Sequence, residues 1–109
     1  MRVIIVGDSK LVYFLAKQFI GKGDRVTLIA SDRETAIDFS RQLKATVTVG
    51  DASDPEILEQ VGAMGADVLV ALTPEDPDNL IACQIAQKQY GVSQTVALVN
   101  DPENKPIFE

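Results

Sequence analysis

The stretch Arg2-Val3-Ile4-Ile5-Val6-Gly7-Asp8-Ser9-Lys10-Leu11-Val12 decides the fold. Val3 to Val6 is an unbroken β-branched run, the pattern of a strand buried on both faces of a parallel sheet. Gly7 then turns the chain, and Leu11, Phe14, Leu15 and Phe19 follow at helical spacing until Gly21 and Gly23 stop the helix. The same alternation repeats down the chain. Val26 to Ile29 reads as a second strand, and Ser31-Asp32-Arg33-Glu34 as a capping box opening a helix along Ala36, Phe39 and Leu43. Thr46 to Val49 is a third strand, and Ser53-Asp54-Pro55-Glu56 starts a short helix that buries Ile57, Leu58 and Val61. Asp67 to Leu72 is a fourth, and Thr73 with Asp76 forms a capping box for a long helix through Leu80, Ile81 and Ile85 to Gly91. Gln94 to Val99 is the fifth. Strands alternating with helices in this way predict right-handed crossovers and a doubly wound parallel sheet of order 3-2-1-4-5.

Length and composition narrow the function. A chain of 109 residues holds one domain, with no room for a second core. Ten Lys and Arg against sixteen Asp and Glu give a net charge of -6, which offers a phosphate backbone no attraction and excludes general nucleic-acid binding. The absence of histidine and the single cysteine, Cys83, exclude His-based zinc or triad chemistry and a disulfide framework. Cys83 falls on an apolar stripe and reads as core. The start has too short an apolar run for a signal or a membrane span, so a cytoplasmic location is expected. Asp101 to Pro106 begins a fifth helix that the sequence leaves unfinished at Glu109, and no sixth strand follows. Either the domain is shortened at its C-terminal end or the chain continues beyond Glu109 in the full protein.

In such a sheet, ligands gather beyond the carboxyl ends of the strands. The glycine fingerprint expected after the first strand is here Gly7-Asp8-Ser9-Lys10-Leu11-Val12, in which Ser9 and Val12 replace the second and third glycines. Ser9 offers a hydroxyl and an amide to a single phosphate, or serves as a helix cap. The acid that holds a ribose at the end of the second strand is replaced by Ala30. Ser31, Asp32 and Arg33 follow it, a segment that leans toward NADP or a phosphorylated ligand, or that is a capping box with an exposed arginine. Asp51 either reaches an adenine edge or caps its own turn. Thr73, Asp76 and Asn79 share the first turns of the fourth helix, with Asn79 a candidate ligand contact. The candidate nucleotide site is therefore Gly7, Asp8, Ser9, Ser31, Asp32, Arg33, Asp51, Thr73, Asp76 and Asn79, with no catalytic and no metal residue.

Gly50-Asp51, the stretch from Ala71 to Asn79 and Val99 to Glu103 together resemble the TrkA-type, or RCK N-terminal, domain of potassium uptake systems, over essentially the whole chain. The resemblance implies a Rossmann-like cytoplasmic regulatory domain, a homodimer or part of a larger ring. It further implies an NAD(P) or adenine-nucleotide ligand, a membrane potassium transporter subunit as partner, and a place beside the inner membrane through that transporter. The family's phosphate loop falls on Gly7 to Val12, its ribose acid on Ala30, its adenine-side acid on Asp51 and its fifth-strand arginine on Leu98. Two alternatives remain open at this level: an NADP-dependent oxidoreductase domain, and a scaffold that has lost its ligand. The apolar edge from Thr95 to Val99, with Ile107 and Phe108 unpaired beyond it, invites coverage by the C-terminal segment or by a second copy.

Overall fold

β1 (Arg2–Val6) lies at the centre of the sheet, and the side chains of Val3 to Val6 are all buried. The structure, a computed structural model, describes residues 1–108. After β1 come α1 (Lys10–Gly21), β2 (Arg25–Ala30), α2 (Arg33–Gln42), β3 (Thr46–Val49), α3 (Pro55–Gln60), β4 (Val68–Ala71), α4 (Asp76–Tyr90), β5 (Gln94–Ala97) and α5 (Lys105–Phe108). Two short 3-10 turns, Ala63–Gly65 and Pro102–Asn104, precede β4 and α5. All pairings are parallel and the order is β3-β2-β1-β4-β5, as the alternation of elements predicts.

The period of two along β1 sorts its side chains between two cores. Val3 and Ile5 pack with Val12 and Ala16 of α1 and Ala36 and Phe39 of α2. Ile4 and Val6 face the other way, against Leu58 of α3 and Ala82 and Ala86 of α4. Each such side chain contributes about 1.5–3 kcal/mol when fully buried, so the central strand anchors both layers.

The helix faces differ from those the large apolar residues suggest. In α1 the sheet contact is made by Val12 and Ala16, both fully buried, whereas Leu11 and Phe14 are 49% and 60% exposed. Leu15 and Phe19 are half-buried. In α4 the contact runs along Asn79, Ala82, Cys83 and Ala86, while Ile81 is exposed and Leu80 and Ile85 only half-buried. Small residues at the line of contact let the helix lie close on the sheet, and the bulkier ones flank it. The phase is set by where the chain leaves the preceding strand.

Caps and ends are adjusted too. The N-cap of α2 is Asp32, whose carboxylate accepts from the Thr35 amide at 3.1 Å and the Thr35 hydroxyl at 2.9 Å, so the predicted Ser31–Glu34 box is shifted by one residue. At α3 the reading holds: Asp54 accepts from the Glu56 amide at 3.0 Å and Pro55 occupies the first turn. β4 and β5 are shorter than expected, stopping at Ala71 and Ala97, because Leu72 and Leu98 already lead into the loops that build the site. Val96 of β5 is 46% exposed and Ile107 64% exposed. Among the described residues no helix is long and apolar enough to cross a membrane.

Candidate nucleotide cleft

A cleft of about 320 Å³ opens over the carboxyl ends of β1 to β4, at the point where strand order reverses between β1 and β4. Its walls are Val6, Gly7 and Asp8 after β1, Ile29 and Ser31 at β2, Gly50, Asp51 and Ala52 after β3, and Thr73, Pro74, Glu75 and Asp78 after β4. Gly7 makes the turn at φ 143°, a conformation open to glycine alone at little cost. A Cβ there would lie 2.9 Å from Val12 Cγ2 and 3.1 Å from the Leu72 carbonyl oxygen. At Gly50 a Cβ would meet the side chain of Ile57, with Cδ1 at 2.7 Å.

Of the sequence candidates, Gly7, Asp8, Ser31, Asp51 and Thr73 come together on the cleft wall. Ser9 is the N-cap of α1 by backbone geometry but makes no side-chain cap bond, and it lines an adjacent surface hollow with Lys10 and Tyr13. Asp32 is engaged in its own cap, and Arg33 is exposed on the first turn of α2, outside the cleft lining. Asp51 accepts from the Ser53 amide at 2.9 Å and the Ser53 hydroxyl at 2.7 Å, closing its own turn while facing the cleft.

Thr73 and Asp76 do not form a capping box. Thr73 instead bonds Asn79, whose Oδ1 accepts from the Thr73 amide at 3.0 Å and its hydroxyl at 2.7 Å. Asn79 Nδ2 donates to the Thr73 and Leu98 carbonyls at 2.9 and 3.0 Å. Fully buried, Asn79 uses every bond its amide can make to clamp the β4–α4 loop to the end of β5. Asp76 is buried beside it. It accepts from the Asn100 amide at 2.7 Å, Asn100 Nδ2 at 2.8 Å, the Asp101 amide at 2.9 Å and Asn104 Nδ2 at 3.0 Å. The Asn100 amide above all, then the Asn104 side chain and the Asp101 amide, hold its carboxyl well below the usual carboxylate range, against the opposing effect of burial. Neither Asp76 nor Asn79 lines the cleft.

Sequence reasoning missed Glu75 and Asp78, which do line it. The available signal was the run of acids in the first turn of α4, favoured there by the helix dipole in any case. With them, the charged side chains of the cleft wall, Asp8, Asp51, Glu75 and Asp78, are all acidic. Cys83 is core, as expected: burial pushes its thiol up to about 11, and its Sγ lies 3.7 Å from the Val96 carbonyl oxygen.

Comparison with known proteins agrees with this architecture. The family model for the TrkA-N domain matches residues 3–109. A Trk system potassium uptake protein TrkA homolog of Pyrococcus abyssi is 33% identical over 109 residues, 100% of this chain and 48% of its own length. The Trk system potassium uptake protein TrkA of Vibrio alginolyticus is 31% identical over 103 residues, 94% of this chain and 22% of its own. The chain thus spans about half, or about a fifth, of the length of these relatives. Among solved structures, the GsuK channel bound to NAD superposes with a TM-score of 0.84 at 18% identity, covering 97% of this chain and 19% of that one. The AMP-bound Kef CTD of Shewanella denitrificans gives 0.75 at 23% identity, covering 89% and 58%. At these identities the structural likeness establishes the fold. The family match over residues 3–109 and the TrkA relatives, taken with the sheet order and the cleft at its switch point, make this chain a member of the TrkA-N domain family.

Proposed function

We propose that this chain is the regulatory nucleotide-binding domain of a protein that controls a membrane potassium transport system. The observation that carries the reading is a cleft over the carboxyl ends of β1 to β4 in a chain that matches the TrkA-N domain from residue 3 to 109. The ligand is an adenine nucleotide or NAD(H), supported by neighbours of this fold described as bound to NAD and to AMP. Gly7, Asp8, Ser31, Asp51 and Thr73 are the contacts, and the first-turn amides of α1 supply the anion-binding dipole. Asp32, Arg33, Asp76 and Asn79 act around the site rather than on the ligand.

The domain works by changing shape or association when it binds, without catalysing a reaction. Its partner is a membrane potassium transporter subunit, which places it on the cytoplasmic side of the inner membrane. Assembly is a homodimer or a larger ring, supported by the exposed edge at Val96 and the exposed Ile107.

Two measurements test this. The gene, deleted from its host and restored, is followed by potassium uptake at low external potassium; uptake that ignores the deletion refutes the transport role. Calorimetry of the purified protein with NAD, NADH and AMP, with light scattering alongside, tests ligand and assembly. Failure of every adenine nucleotide to bind at millimolar concentration refutes the sensing role.

A further inference from the structure

β2 ends in Ala30, whose side chain is fully buried and offers a ribose nothing, yet a carboxylate stands at that strand end. It belongs to Asp8 and reaches across from the β1–α1 turn. Asp8 Oδ1 accepts from the Ser31 amide at 3.0 Å and the Ser31 hydroxyl at 2.8 Å, and Oδ2 accepts from the Asp32 amide at 2.9 Å. These amides are the first two after Ala30, so the carboxylate is pinned at the carboxyl end of β2. Three of its roughly four acceptor positions are filled, leaving one on Oδ2. Asp8 and Ser31 both line the cleft.

A second observation bears on the same point. The Ser31 amide and hydroxyl and the Asp32 amide, on the loop that leads into α2, are bonded to Asp8 and so are not free for a phosphate. Arg33, the cation expected to receive a 2′-phosphate, lies outside the cleft lining, and the charged groups on the wall are all carboxylates.

We propose that Asp8 determines the specificity of the cleft: it replaces the missing β2 acid as acceptor for a ribose 2′-hydroxyl, selecting adenosine ligands with that hydroxyl free and rejecting those with a 2′-phosphate. This rests on the nucleotide-binding reading given above. It reverses the preference that Ala30, Ser31 and Arg33 suggest as a sequence. A hydroxyl donates to the free position on Oδ2, whereas a 2′-phosphate brings like charge against a fixed carboxylate and finds the Ser31 and Asp32 loop donors occupied.

The test is calorimetric titration of the protein with NAD, NADP, AMP and 2′-deoxy-AMP, in the unaltered sequence and in Asp8→Asn and Asp8→Ala, with circular dichroism to check folding. Expected is a preference for NAD over NADP of tenfold or more, AMP binding severalfold tighter than 2′-deoxy-AMP, and a gap between NAD and NADP that closes to less than threefold in Asp8→Asn. Should either variant fail to fold, the two ligand pairs on the unaltered protein decide the matter alone. NADP binding as tightly as NAD overturns the assignment while leaving nucleotide binding intact. Binding by Asp8→Ala where the unaltered protein binds nothing shows Asp8 to be a plug, which also overturns it. No binding by any form removes the nucleotide reading and this assignment together.

Discussion

Replacing Asn79 by alanine separates a structural clamp from a ligand contact. Asn79 is fully buried and its four bonds join Thr73, at the cleft, to Leu98, at the end of β5. Truncation leaves the Thr73 amide and the Leu98 carbonyl without these partners, while the Thr73 carbonyl keeps its bond from Asn100 Nδ2 at 3.1 Å. An orphaned buried backbone group costs about 1–3 kcal/mol, and water reaching the half-buried Thr73 lowers the sum, so a loss of about 2–4 kcal/mol is expected. For a domain of this size that lowers Tm by about 8–16 °C, at about 4 °C per kcal/mol. Against a typical total of about 5–15 kcal/mol, the change is large. Urea denaturation followed by circular dichroism measures it, with the slope m unchanged because the surface exposed on unfolding is the same. A loss below about 1 kcal/mol would refute the clamp. Full stability with a selective loss of nucleotide affinity would place Asn79 on the ligand after all.

Two further outcomes follow from the same geometry. Gly7→Ala combines a left-handed backbone with a Cβ 2.9 Å from Val12 Cγ2, and is expected to destabilise by about 1–3 kcal/mol in thermal melts; a neutral or stabilising effect would refute the close packing of α1 on β1. Asp76 is depressed in the folded state relative to about 3.9 when unfolded, so its stabilisation is complete above about pH 5 and is lost progressively as the pH falls below that. Tm measured from pH 6 to pH 2 is expected to fall more steeply for the unaltered protein than for Asp76→Asn, which starts lower at pH 7. Parallel curves would refute the role of the carboxylate.

Local chemistry in the sequence was enough to determine the architecture. The β-branched run from Val3 to Val6, the Thr46–Val49 strand, the Asp54-Pro55 start of α3 and the Gly91 stop of α4 are each encoded within a few residues, and alternating elements with right-handed crossovers leave one economical sheet order. The place of the cleft follows from that order. Only the tertiary structure decided which helix residues face the sheet and what the polar groups around the cleft bond to. Val12 and Ala16 face the sheet in place of Leu11 and Phe14 because the exit from β1 fixes the phase of α1. Thr73, Asp76 and Asn79 share a helix start, where local rules predict mutual capping. Asp76 turns instead to Asn100, Asp101 and Asn104, Asn79 adds a bond to Leu98 to those it makes with Thr73, and Asp8 finds Ser31 at a separation of 23 residues. Bonds of that span depend on which strands lie side by side. Once the sheet has brought the β1 and β2 loops together, and the β4 and β5 loops together, donors and carboxylates face one another across those gaps, and the buried ones, Asp76 and Asn79, must bond there.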